Sequence, residues 1–170
     1  MNTSLTFTNS ALAEREQTEN LIQLVSFTLD KEEFGIDILK VQEINRTPNI
    51  TRVPNCPDFI EGVINLRGRI VPIIDLRKRF GMKETEQSKD TRIIVVEVLG
   101  RVVGFIVDSV SEVLRVPHSV IDAPPPLVSG IRAEFIEGIG KLENRLLILL
   151  NLEKILSSTE LESVDVELQY

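Results

Sequence analysis

Residues Phe59–Phe80 read FIEGVINLRGRIVPIIDLRKRF, and residues Phe135–Leu156 read FIEGIGKLENRLLILLNLEKIL. Laid over one another without a gap, Phe59, Ile60, Glu61 and Gly62 meet Phe135, Ile136, Glu137 and Gly138. Further on, Leu66, Arg69, Leu76 and Lys78 meet Leu142, Arg145, Leu152 and Lys154. Other positions keep their character: Ile70, Val71, Ile73 and Ile74 meet Leu146, Leu147, Leu149 and Leu150, and Asp75 meets Asn151. A repeat of this length implies two copies of one structural unit.

Each copy reads as a hairpin. The runs flanking its middle are apolar, too short for ordinary helices and bounded by turn formers, which favours strands. At the turn, Gly68 coincides with Asn144; both residue types tolerate positive φ, so the two turns are expected to share a backbone shape. Asp75 and Asn151 are good N-caps for short helices over Leu76–Phe80 and Leu152–Leu156. The overlay isolates Arg67, whose counterpart is Glu143. An opposite charge at the same turn position means the unit itself does not require a cation there. Arg67 is therefore either a solvated turn residue or a recognition residue on a rigid hairpin.

Outward from the hairpins, Leu21–Leu29 and Phe34–Leu39 read as strands joined by the polar turn Asp30–Glu33. Arg92–Leu99 and Val102–Val107 repeat that arrangement around Gly100 and Arg101. Gly35, Val41, Glu43, Arg46 and Pro48 match Gly104, Val110, Glu112, Arg115 and Pro117 at one constant offset, so the repeat spans nearly a whole half. The expected organisation is a first barrel over about 21–80, a linker over 81–91 and a second barrel over about 92–156, with strand exchange between the barrels left open. Pro48–Pro57 and Pro124–Pro126 are stiff, extended connections. Residues 1–20 have the composition of a flexible tail, with a marginal short helix over Ala11–Gln17. Residues 157–170 form an acidic tail in which Leu161, Val164 and Leu168 recur at helical spacing.

The chain has 170 residues and a formal net charge of -7. That charge works against nucleic acid, which demands a basic face. Trp is absent and Tyr170 is the only tyrosine, so no stacking platform for single strands is offered. No apolar run reaches the length of a membrane span, and the N-terminus lacks the pattern of a signal peptide. A single cysteine, Cys56, excludes an internal disulfide and points to a reducing compartment. A soluble, cytoplasmic protein with a protein partner is expected.

Chemistry is sparse. His118 is the only histidine, so no histidine pair for a metal or a relay can be built from this chain. Cys56 has no histidine near it in sequence, and neither a phosphate-binding loop nor a dinucleotide fingerprint occurs. The chain reads as a non-enzyme without cofactor or metal. What remains are Val41, Glu43, Arg67, Val110 and Val113. Valines by themselves are core residues more readily than contacts. Yet Val41 and Val110 occupy equivalent places, and units packed about a pseudo-twofold axis would flank one groove suited to a helix.

FGIDILKVQEI at Phe34–Ile44, FIEGVINLRGRIVPIIDLR at Phe59–Arg77, RVVGFIVDSVSEVL at Arg101–Leu114 and RLLILLNLEKIL at Arg145–Leu156 closely resemble the CheW-type chemotaxis coupling proteins. The resemblance runs from about Leu21 to Leu156. It implies an all-β fold of two small five-stranded, SH3-like barrels sharing a core, with short helices. It also implies a free-standing adaptor that binds the cytoplasmic signalling tip of chemoreceptors and the regulatory domain of the histidine kinase CheA, in arrays associated with the membrane. By motif, Val41, Glu43 and Arg67 fall on one wall of the family's receptor-facing groove, and Val110 and Val113 on the other. Ile121 and Leu127, flanking the three prolines, are candidates for the kinase contact. Two readings outside this class are an SH3-like peptide-binding module and a small hydrolase using Cys56.

Overall fold

The repeat halves do not fold as separate sheets. In the computed structural model, which describes residues 20–156 other than Ser129, each half lends strands to the other. The tails with their proposed helices lie outside the described residues.

The strands are β1 (Leu21–Leu29), β2 (Glu32–Asp37), β3 (Val41–Arg46), β4 (Ile60–Leu66), β5 (Arg69–Asp75), β6 (Arg92–Val98) and β7 (Arg101–Val107). They continue as β8 (Ser109–Pro117), β9 (Ile121–Asp122), β10 (Leu127–Val128), β11 (Ile131–Arg132), β12 (Ile136–Leu142) and β13 (Arg145–Leu150). Two short helices, α1 (Leu76–Arg79) and α2 (Leu152–Leu156), follow the repeated hairpins. Their caps are those expected: the Asp75 side chain accepts from the Arg77 amide and that of Asn151 from the Lys154 amide.

One sheet runs β3-β6-β7-β5-β4 and the other β8-β1-β2-β13-β12-β9. The first draws on residues 41–107, while the N-terminal hairpin β1–β2 joins the C-terminal strands. The strand exchange left open between the barrels is thus present, and the second sheet holds six strands counting the short β9. Within each sheet the two repeated hairpins meet side by side in parallel, β5 against β7 and β13 against β2. Exchange follows from the connections: only Ile38–Lys40 separate β2 from β3, and only Asp108 separates β7 from β8. Each link passes the chain directly into the other sheet with no intervening loop.

The repeated glycines have a steric cause. Gly62 has φ +148°, and a Cβ there would lie 2.1 Å from the Thr51 carbonyl oxygen. At Gly138 a Cβ would lie 2.6 Å from Ile121 Cγ2. Each glycine sits at a bulge, between Ile60 and Gly62 or between Ile136 and Gly138, where another segment crosses the hairpin.

The turns correct another expectation. Arg67 and Gly68 both have positive φ, 52° and 83°, whereas neither Glu143 nor Asn144 does. The first turn is of the type whose twist matches its strands; the second reaches the same two-residue spacing with a different backbone. The first hairpin also turns through Asp30 and Lys31 alone rather than through four residues.

Strand alternation separates three cores. Ile93 and Val95 point into the first barrel with Ile64, Val71 and Ile73. Leu24, Val116, Leu147 and Leu149 fill the second. The opposite faces, including Val25, Phe27, Phe34, Ile74, Ile94, Val96 and Phe105, meet between the sheets. At about 1.5–3 kcal/mol for each fully buried large side chain, this shared layer dominates the favourable side of folding. A line of rings crosses it, Phe27–Phe34–Phe80–Phe135, with centroids 5.7, 6.0 and 6.0 Å apart. Met82, in the stretch read as polar linker, also packs there.

Candidate partner-binding surface

β3 and β8 are each an edge strand of their sheet, opposite β4 and β9 at the other edges. In β3, Val41 lies opposite Val96 and Ile44 opposite Ile94. In β8, Val110 lies opposite Phe27 and Val113 opposite Val25. Residues directly opposite in an antiparallel pair share a face, and all four of those partners belong to the inter-sheet core. Val41 and Val110 are half-buried against that core. Ile44 and Val113 are 39% and 55% exposed. The two edges thus present matching pairs, one residue sealing the core and the next apolar one facing solvent. Ile44 was missed in the sequence, although the offset that links Val41 to Val110 also links Ile44 to Val113.

Arg67 and Glu43 are brought together. Arg67 Nη2 donates to Glu43 Oε2, and Asn45 Nδ2 donates to Oε1 at 2.6 Å. The Asn45 hydrogen bond, then that from Arg67, holds the Glu43 carboxyl below its ordinary range. The Arg67 side chain is 74% exposed and that of Glu43 21%, so the pair shows its cation to solvent. The turn is braced beneath it by the Gly68 amide, which donates to Asn65 Oδ1 at 2.8 Å.

The second copy rebuilds this pair from other residues. Arg145, the counterpart of Arg69, donates from Nη2 to Glu112 Oε1 at 3.0 Å, and its Nε lies 3.2 Å from Glu33 Oε2. An arginine near each hairpin tip therefore reaches an edge-strand glutamate in both barrels.

Ile121 and Leu127 are not equivalent to one another. Ile121 is half-buried with Leu24, Leu147 and Leu149 and lines a cleft of about 560 Å³ beside Leu21, Ile38 and Leu39. Leu127 is 63% exposed, opposite Arg132 on the β10–β11 hairpin. Cys56 is half-buried against the inter-sheet core, and His118 lies in the turn after β8, at the cleft. Among the described residues no cluster of three or more His, Cys, Asp or Glu side chains is arranged to hold a metal, and no helix is long and apolar enough to cross a membrane.

Behind the Arg67 hairpin lies a second charged group. Lys78 Nζ is 2.5 Å from Glu61 Oε1 and 2.8 Å from Glu84 Oε1, which raise its pKa. Asp75 is pushed above the ordinary aspartate value by burial and by the charge of Glu61.

The profile described as the CheW-like domain matches residues 23–160. The chain belongs to the CheW-like family. Chemotaxis protein CheW of Klebsiella aerogenes is 48% identical over 143 residues, 84% of this chain and 86% of that protein. The Helicobacter pylori protein of the same name is 39% identical over 147 residues, 86% of this chain and 88% of that one. The crystal structure of scaffolding protein TtCheW from Thermoanaerobacter tengcongensis aligns with a TM-score of 0.77 at 43% identity, covering 82% of this chain and 94% of that one. The CheW-like fold here is accordingly a pair of SH3-like β-barrel subdomains.

Proposed function

We propose that this chain is a non-catalytic chemotaxis adaptor that couples the cytoplasmic signalling tip of chemoreceptors to the regulatory domain of the kinase CheA. It acts in the cytoplasm, at receptor arrays. The observation that carries the reading is the matched pair of edge strands. Val41 and Ile44 on β3, and Val110 and Val113 on β8, offer apolar side chains bordering the shared core, and the Arg67 guanidinium is exposed where it meets Glu43 on the other face of β3. An amphipathic helical partner needs such a surface: apolar anchors with a charged group to set orientation. Leu127 is assigned to the kinase side. Ile121, being half-buried, contributes there by supporting its loop.

The sequence relatives named as chemotaxis proteins and the structural relative named as a scaffold support this reading. A proline-peptide module is disfavoured because the described phenylalanines are buried or packed on the core, leaving no aromatic-lined groove. The test is binding of wild type and Arg67→Glu to a receptor-tip fragment and to the CheA regulatory domain. Loss of tip binding alone in the variant supports the assignment; a wild type that binds neither partner refutes it.

A further inference from the structure

We infer that Arg77 is a positioning residue for the partner surface: from the sheet that carries Arg67 it clasps the point where β8 enters the other sheet, and so sets Val110 and Val113. The inference rests on the adaptor reading above. Asp108 is the single residue between β7 and β8, where the chain passes from the five-stranded sheet to the six-stranded one. Arg77 lies in α1, directly after β5. Its Nε donates to Asp108 Oδ1 at 2.7 Å and its Nη2 to Oδ2, a bidentate pair with the arginine side chain only 10% exposed.

The crossing is also held on its other sides. The Asp30 amide donates to Asp108 Oδ2 at 2.7 Å, and the Asp108 amide donates to the Thr28 carbonyl at 3.0 Å. The Thr28 and Ser109 hydroxyls are 2.6 Å apart. On the far side, Arg77 Nη1 donates to the Lys83 carbonyl at 2.8 Å, which fixes the guanidinium itself. A planar fork with its donors committed transmits orientation as a flexible ammonium does not.

The repeat shows that this clasp is not part of the basic unit. Glu153 occupies the position equivalent to Arg77. The matching crossing, from β2 to β3, is held by the Asp37 side chain accepting from the Leu39 amide and by an exposed Lys40–Glu153 pair at 3.7 Å. The same place in the fold thus carries opposite charges. Only the entry to β8 has the buried, two-pronged version.

The experiment compares wild type, Arg77→Lys and the double variant Arg77→Met with Asp108→Leu. Melting temperature, affinity for the receptor-tip fragment, affinity for the CheA regulatory domain and amide exchange over residues 109–117 are measured on each. The double variant replaces a buried pair with apolar groups, a change that often preserves stability. Expected are a folded Arg77→Lys with tenfold or weaker tip binding, kinase binding within twofold of wild type, and faster exchange confined to β8. The double variant should regain the melting temperature without regaining tip affinity. A folded Arg77→Lys that binds the tip within twofold of wild type overturns the inference, as does a double variant that recovers both properties. If wild type fails to bind the tip, the adaptor reading falls on its own; exchange in Arg77→Lys then decides the clasp, with unchanged β8 protection overturning it.

Discussion

Arg67 and Glu43 are joined across the seam of the first barrel, where the described structure has no backbone ladder between β3 and β4. The pair binds the hairpin tip to the edge strand while leaving most of the guanidinium in solvent. Its arginine also holds a left-handed backbone conformation, φ 52°, that costs an ordinary residue about 1 kcal/mol. Strain of this kind is kept where a side chain is needed.

Arg67→Gly therefore separates stability from function. Relief of the left-handed strain offsets the loss of a solvent-exposed ion pair, so the melting temperature should stay level or rise. Affinity for the receptor tip should fall at least tenfold. Thermal melts and titration calorimetry on the same samples check both halves.

Ile44→Asp and Val113→Asp test the paired edges. Both residues are exposed, so stability should shift by only about 0.5 kcal/mol, while each substitution should weaken tip binding by an order of magnitude. If one edge were sensitive and the other silent, the surface would not be shared between the barrels.

Asp75→Asn copies the second repeat, where Asn151 caps α2. Burial and Glu61 raise the pKa of Asp75 above 3.8, so the folded state holds this proton more tightly than the unfolded chain does. Stability from this site therefore falls as pH rises through the window above 3.8, and the ionised carboxylate burdens the fold at neutral pH. The asparagine keeps the cap and should raise the melting temperature by a few degrees at pH 7, with the gain shrinking on acidification.

Asp108 has the opposite sign. Burial pushes its pKa up, but hydrogen bonds from Arg77 and the Asp30 amide outweigh that and leave it below 3.8. Its contribution is complete above the unfolded value of about 3.8 and is lost as pH falls through the folded value. Asp108→Asn should lower stability at neutral pH and flatten the acid limb of the unfolding curve, read by denaturant titrations at pH 7 and pH 3.

Gly62→Ala should be severe. The new methyl would meet a backbone oxygen that no rotamer change can move, at a cost of about 3 kcal/mol or more. Gly138→Ala meets first the side chain of Ile121, which can turn aside, and should cost less. Denaturant melts of the two variants give the comparison.

The repeat made the hairpins, caps and cores legible, because strand alternation and the cap residues Asp75 and Asn151 act locally. One offset pairs Val41 with Val110, whereas Glu43 and Val113 entered by motif, through the resemblance to the family. Strand exchange was not: it depends on how little chain separates β7 from β8, and one aspartate gives no pattern. The turn at Glu143 and Asn144 misled because asparagine permits positive φ without requiring it. Ile44 carries no charge or turn signal, and an apolar strand residue reads as core until its exposure is seen. The Arg77–Asp108 clasp joins residues that are distant in the chain and unmatched in the repeat.

Exchange also orders events in time. All five strands of the first sheet lie within residues 41–107, so a chain emerging from the ribosome can complete that sheet while β8 onward is still being made. The N-terminal hairpin β1–β2 is made before that sheet but pairs with β8 and β13, so it waits first for residues 109–117 and then for residues 145–150. A hairpin made early thus waits for partners made later, and its sheet closes only once β13 has been synthesised.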